Sequence, residues 1–102
     1  MEIVKEVNGT RLVLKITGRL DMTSSWQLSK EIHANIGGMT ELVFDLNDTT
    51  YLSSAGIRVF VAASDVMKKQ GSMKIVGVNE NLMNVFHVIG FTNIMDIQPK
   101  GC

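Results

Sequence analysis

The sequence predicts an α/β fold with a mixed sheet: an opening β-hairpin, then alternating helices and strands, the later strands parallel and joined by right-handed crossovers. Three observations predict it. Asn8-Gly9 stands between two β-rich runs, the strongest short-range hairpin signal. "ELVFDL" and "SMKIVGV" are short and nearly continuous in apolar residues, as buried strands are. Segments with the helical period lie between and after them, and glycine stands at the end of each.

The elements follow in order. "EIVKEV" and "RLVLKIT" form the hairpin strands around Asn8-Gly9-Thr10. The first helix is expected over residues 24–36, with Ser24 and Gln27 at capping-box spacing, Leu28, Ile32 and Ile36 repeating every four, and Gly37-Gly38 as the stop. Glu41 to Leu46 reads as a central strand covered on both faces, followed by a loop at Asn47 to Thr50. The longest helix runs from about Ser54 to Lys69 and is closed by Gly71. After "SMKIVGV", Asn79 caps a third helix with Leu82, Val85, Phe86 and Ile89 on one stripe. Gly90 ends it, and "FTNIMDI" is expected as the last strand before Pro99.

A chain of 102 residues fits one compact domain, here residues 1–102. Hydrophobic residues make up 45% of it and charged residues 20%, enough to fill a core without covalent staples. Ten basic and ten acidic residues cancel, so nothing in the net charge favours a nucleic-acid or membrane-surface partner. The single cysteine, Cys102, allows no internal disulfide and fits a reducing cytoplasm. "MEIVKEV" lacks the pattern of a secretory signal, and no apolar run is long enough for membrane insertion.

Little of the usual chemistry is encoded. His33, His87 and Cys102 are far apart in sequence without ligand spacing, so no metal is expected. Neither the Walker pattern nor G-x-G-x-x-G occurs, and no cofactor is expected. The remaining candidates are Ser53 and Ser54, where an apolar strand gives way to an apolar helix. "LSSAG" is not the G-x-S-x-G of a nucleophile elbow, which leaves a small serine hydrolase as the weakest reading. Ser54 is expected to be the N-cap, its hydroxyl accepting from the N–H of Gly56 or Ile57. The same geometry makes a helix N-terminus hospitable to phosphate, which the free N–H groups and the helix dipole stabilise by ~0.5–2 kcal/mol.

The helix behind the serines carries more apolar surface than one packing face uses. Ile57, Phe60, Val61 and Met67 form one stripe and Ala55, Val59, Ala62 and Val66 another, leaving Arg58, Asp65, Lys68 and Lys69 for water. Such a helix is either wedged between the sheet and a neighbouring helix or offers a docking surface beside Ser54.

Taken together, "GRLD" at Gly18 to Asp21, "VFDLNDTTYLSSAGIRVF" and "KIVGVNENLMNVFHVIGFTNIMDI" resemble the STAS domain, most closely the bacterial anti-anti-sigma factors, also called anti-sigma factor antagonists. The resemblance runs from the hairpin to Ile97, and its specific part is the central segment. It implies helices packed mainly on one face of the sheet. It also implies phosphorylation of a serine at the start of the second helix by a partner that is both kinase and anti-sigma factor. The family pattern there is Asp-Ser-Ser/Thr/Ala-Gly-Leu. Laid onto this chain, Ser53 takes the acidic position, Ser54 is the acceptor, Ala55 precedes Gly56, and Ile57 replaces leucine. Asp21 matches an acidic residue near the acceptor.

The mechanism so implied is partner switching by a non-enzyme. Unphosphorylated, the domain binds an anti-sigma factor serine kinase through Asp21, Ser53, Ala55, Gly56, Ile57, Arg58 and Val61 around Ser54. The kinase supplies ATP and magnesium, and a serine phosphatase reverses the modification. The competing reading within the same fold is a non-switching STAS subunit, such as an accessory component of a transporter.

Overall fold

The computed structural model describes residues 1–101. It contains β1 (Glu2–Asn8), β2 (Arg11–Leu20), α1 (Met22–Asn35), β3 (Glu41–Leu52), α2 (Ser54–Met67), β4 (Ser72–Val78), α3 (Glu80–Val88), a 3-10 turn (Phe91–Asn93) and β5 (Asp96–Pro99). The sheet order is β1-β2-β3-β4-β5, with β1 antiparallel to β2 and every later pair parallel. The hairpin and the mixed sheet are thus as the sequence predicts.

Strand alternation decides where the core sits. Leu12, Leu14 and Ile16 of β2 share a face with Leu42, Phe44 and Leu46 of β3 and Ile75 of β4, all 1% exposed or less. Leu28 and Ile32 of α1, Phe60 and Met67 of α2, and Leu82 and Phe86 of α3 complete that core, so all three helices lie on one side. Its centre is a chain of aromatic rings. Phe44 and Phe60 meet edge to face at 4.8 Å, Phe60 and Phe86 are 6.2 Å apart, and Phe86 stacks on Phe91 at 5.9 Å.

The structure corrects four expectations. Among the described residues no helix covers the second face of β3. Val13 and Val43 are buried there, side by side in the ladder, with the Arg11–Glu41 ion pair (2.8 Å) on the same face. Long charged side chains bury their stems along an apolar surface while their heads stay in water. Asn47 to Thr50 form no loop. β3 continues through them to Leu52 because β2 offers a ladder across two bulges, and the Thr49 hydroxyl donates to the Ile16 carbonyl at 2.7 Å where the register breaks. α1 starts at Met22 rather than residue 24, since Asp21 is its cap and Ser24 is the third helical residue. In "FTNIMDI", Gly90 (φ 80°) leads into a 3-10 turn at Phe91–Asn93, and only Asp96–Pro99 pairs with β4. Phe91 turns inward onto Phe86, and Ile94 is left 62% exposed.

Candidate functional site

β2, β3 and β4 are neighbouring parallel strands, and each runs directly into a helix. Their helices therefore begin along one edge of the sheet, with Asp21, Ser53 and Asn79 as N-caps. The Asp21 carboxylate accepts from the Ser24 N–H at 3.0 Å, and the Ser24 hydroxyl accepts from the Asp21 N–H at 2.8 Å, a reciprocal box. Asn79 Oδ1 accepts from the Leu82 N–H at 2.9 Å, and its Nδ2 donates to the Thr49 carbonyl at 3.2 Å. The Ser53 N–H donates to the Leu20 carbonyl at 2.9 Å, which sets Ser53 beside Asp21.

Of the two serines, the structure gives the cap to Ser53, not Ser54. Ser53 is still extended (φ −90°, ψ 168°), its hydroxyl accepts from the Gly56 N–H at 3.2 Å, and its carbonyl takes the first helical bond, from the Ile57 N–H at 3.1 Å. The physical reason is the length of β3, whose ladder with β2 holds the chain extended through Leu52. Ser54 is therefore the first residue with helical geometry, and it is exposed. Its hydroxyl is not needed for capping, so the acceptor oxygen and the cap belong to different residues.

The bonds from Ser24, backbone N–H first and hydroxyl second, hold the Asp21 carboxyl below its ordinary value of 3.8, and the charge of Arg19 adds to this. A depressed folded-state value contributes stability that is present above 3.8 and is lost as pH falls through the lowered value. Wild type should accordingly melt above Asp21→Asn at neutral pH, and the gap should shrink as the solution is acidified below 3.8. A gap that stays constant on acidification would show that the carboxylate charge is idle.

Gly56 is a close approach. A Cβ there would lie 2.8 Å from both Leu20 and Leu52, so the first turn of α2 rests directly on the ends of β2 and β3. Gly56 is buried, Asp21 caps α1, and the other expected contact residues lie on α2 or at its cap. Ser53, Ser54, Ala55 and Arg58 line one wall of a groove of about 870 Å³ between α1 and α2. Ile57, half-buried, and Val61, 37% exposed, lie on the opposite flank of α2. The buried stripe is Gly56, Phe60, Ala63 and Met67, so the first expected stripe is only partly a packing face and Val61 and Val66 remain exposed.

The other wall of the groove was not legible as a site. Met22, 74% exposed, and Trp26, 68% exposed, lie one turn apart on α1 and face Ser54 and Arg58 across the groove. Lys30, a further turn along, holds its Nζ 5.1 Å from the centre of the Trp26 ring. One signal was available. Trp26 falls off the Leu28–Ile32–Ile36 stripe, and a tryptophan on the polar face of an amphipathic helix has no packing reason to be there. The two histidines serve local bonds. His33 Nδ1 is 2.8 Å from the Ser29 carbonyl and His87 Nδ1 is 3.2 Å from the Thr92 hydroxyl. Among the described residues no three potential ligands gather for a metal, and Cys102 lies outside them.

The STAS domain family matches residues 2–100 of this chain. The chain belongs to the STAS family. Within it, this STAS domain groups with the anti-sigma factor antagonists. It is 31% identical over 94 residues to the anti-sigma-B factor antagonist of Bacillus subtilis, covering 91% of this chain and 86% of the relative. The crystal structure of an anti-sigma factor antagonist from Mycobacterium paratuberculosis superposes with a TM-score of 0.87 at 21% identity, over 96% of this chain and 85% of that one. The Bacillus cell fate determinant SpoIIAA in its phosphorylated form gives 0.76 at 18% identity, over 94% and 90%. These two structures share the fold of the STAS domain described here, with its hairpin, parallel run and one-sided helices. No helix of this STAS domain among the described residues is long and apolar enough to cross a membrane.

Proposed function

We propose that this STAS domain, acting as one unit over residues 1–102, is an anti-sigma factor antagonist that works by partner switching in the cytoplasm. The observation that carries the reading is Ser54. The residue is exposed, it stands at the first helical position of α2, and the cap beneath it is supplied by Ser53. Phosphate can therefore be added without dismantling the helix start, where the dipole favours negative charge. The names of the relatives support the partner class, an anti-sigma factor.

Unphosphorylated, the domain docks the anti-sigma factor kinase around Ser54 through Ser53, Ala55 and Arg58, with Asp21 on the neighbouring cap and Ile57 and Val61 extending the contact along α2. Gly56 lets that turn sit low against the sheet. The kinase, with its own ATP and magnesium, transfers the γ-phosphoryl group to Ser54 Oγ. ADP leaves, the hydroxyl proton is lost, and the complex separates. A serine phosphatase restores the hydroxyl. The STAS domain is substrate and binding module, and the catalytic groups belong to its partners.

Incubation with the cognate kinase and Mg-ATP should add one phosphate, and Ser54→Ala should abolish it. Ser53→Ala should still be labelled, because the acceptor hydroxyl on Ser54 remains. Mass spectrometry after proteolysis reads the site directly, and phosphate on Ser53 in the Ser54→Ala variant would overturn the assignment.

A further inference from the structure

The groove between α1 and α2 has one sign of charge in a chain whose charges cancel. Lys30 and Arg58 line it with His33, no carboxylate among the described residues does, and its open wall is Met22 and Trp26. We propose that this groove docks an acidic amphipathic segment of the anti-sigma factor, and that phosphate on Ser54 closes it from within by recruiting Arg58; the proposal rests on the partner-switching reading above.

The geometry favours a protein segment with apolar anchors. A volume of about 870 Å³ takes several side chains, and an amphipathic helix laid in a groove is a recurring mode of recognition. Exposed tryptophan and arginine are the residue types that carry most of the energy in such contacts. Lys30 and Arg58 stand on opposite walls, so carboxylates flanking the anchors would find a cation on either side, and complementary charge sets register and orientation.

The same placement supplies the off-switch. Ser54 and Arg58 are four residues apart on α2 and line the same groove. Side chains at this spacing are neighbours, and a phosphoserine oxygen pairs with guanidinium through a charge-assisted hydrogen bond. Phosphate thus repels an acidic segment and also removes one of the two cations that would hold it.

Calorimetric titration of the full chain with its cognate anti-sigma factor tests the first half. Trp26→Ala, Lys30→Glu and Arg58→Glu should each weaken binding about tenfold or more, with unchanged melting temperature, since all three side chains are exposed. Affinity should also fall as salt is raised. Wild-type affinity in all three variants overturns the groove and leaves partner switching standing, whereas the absence of any wild-type complex sinks both. An independent arm follows the Trp26 indole N–H by NMR. A synthetic amphipathic peptide of leucine and glutamate should shift it and a leucine–lysine peptide should not. Equal shifts, shifts only with inorganic phosphate, or self-association lost in Trp26→Ala would each assign the groove to something else and overturn the proposal. For the second half, phosphorylation should weaken binding by a smaller factor in Arg58→Ala than in wild type. An equal factor in both would mean that phosphate acts without Arg58.

Discussion

Phosphate on Ser54 should weaken the complex with the anti-sigma factor about a thousandfold, which corresponds to ~4 kcal/mol. A contact built on Trp26, Met22 and Ala55 has little to offer a dianion that loses its water, and an acidic partner segment adds repulsion. Ser54→Asp, with a smaller charge, should move affinity in the same direction by less. The separation of cap and acceptor makes the test sharp. Ser53→Ala should lose about 1 kcal/mol of stability with the bond to the Gly56 N–H, and should weaken the partner far less than phosphate does, since it removes one hydroxyl and adds no charge. Ser54→Ala should keep both stability and partner, since Ser54 makes no cap bond. Ser54→Asp should keep its melting temperature, with the dipole favouring the new charge, and lose affinity. Melting curves and titrations of the four proteins therefore order differently. If affinity merely tracked melting temperature across the series, the serines would be structural and the switch would be gone.

Phe60→Ala should cost about 3–5 kcal/mol, a large part of the 5–15 kcal/mol that holds a domain of this kind together. Phe60 is fully buried and touches both Phe44 of β3 and Phe86 of α3, so its removal opens a cavity at the point where sheet and two helices meet. Phe44 and Phe86, its ring neighbours, are themselves fully buried in the same cluster. Urea denaturation should show a lower midpoint with an unchanged slope. A loss below about 1 kcal/mol would mean that the aromatic chain is not the centre of the core. Phe60 lies on the buried side of α2 and Ser54 on the exposed side, so the folded fraction of this variant should still accept phosphate.

What the sequence determined by itself was local. Asn8-Gly9 specified the hairpin through a turn that demands positive φ, which Gly9 has at 63°. The apolar runs "ELVFDL" and "SMKIVGV" and the period of Leu82, Phe86 and Leu28–Ile32 were legible because each signal lies within a few residues. The central segment pointed to the family for the same reason, as a short motif around Ser54. The tertiary structure decided whatever depends on a neighbour far along the chain. Asn47 to Thr50 look like a turn in isolation, and they are strand because β2 holds them with hydrogen bonds. That added length moved the helix start, and so the cap passed to Ser53 and left Ser54 free. A capping box at Ser24–Gln27 lost to Asp21, which directly follows the last residue of β2 and accepts from the Ser24 N–H. The wall of Met22, Trp26 and Lys30 came to face α2 only when parallel pairing set the N-termini of α1 and α2 side by side. A sequence states the propensities of single segments, while hydrogen bonds between strands far apart in the chain choose which residue stands at each helix start.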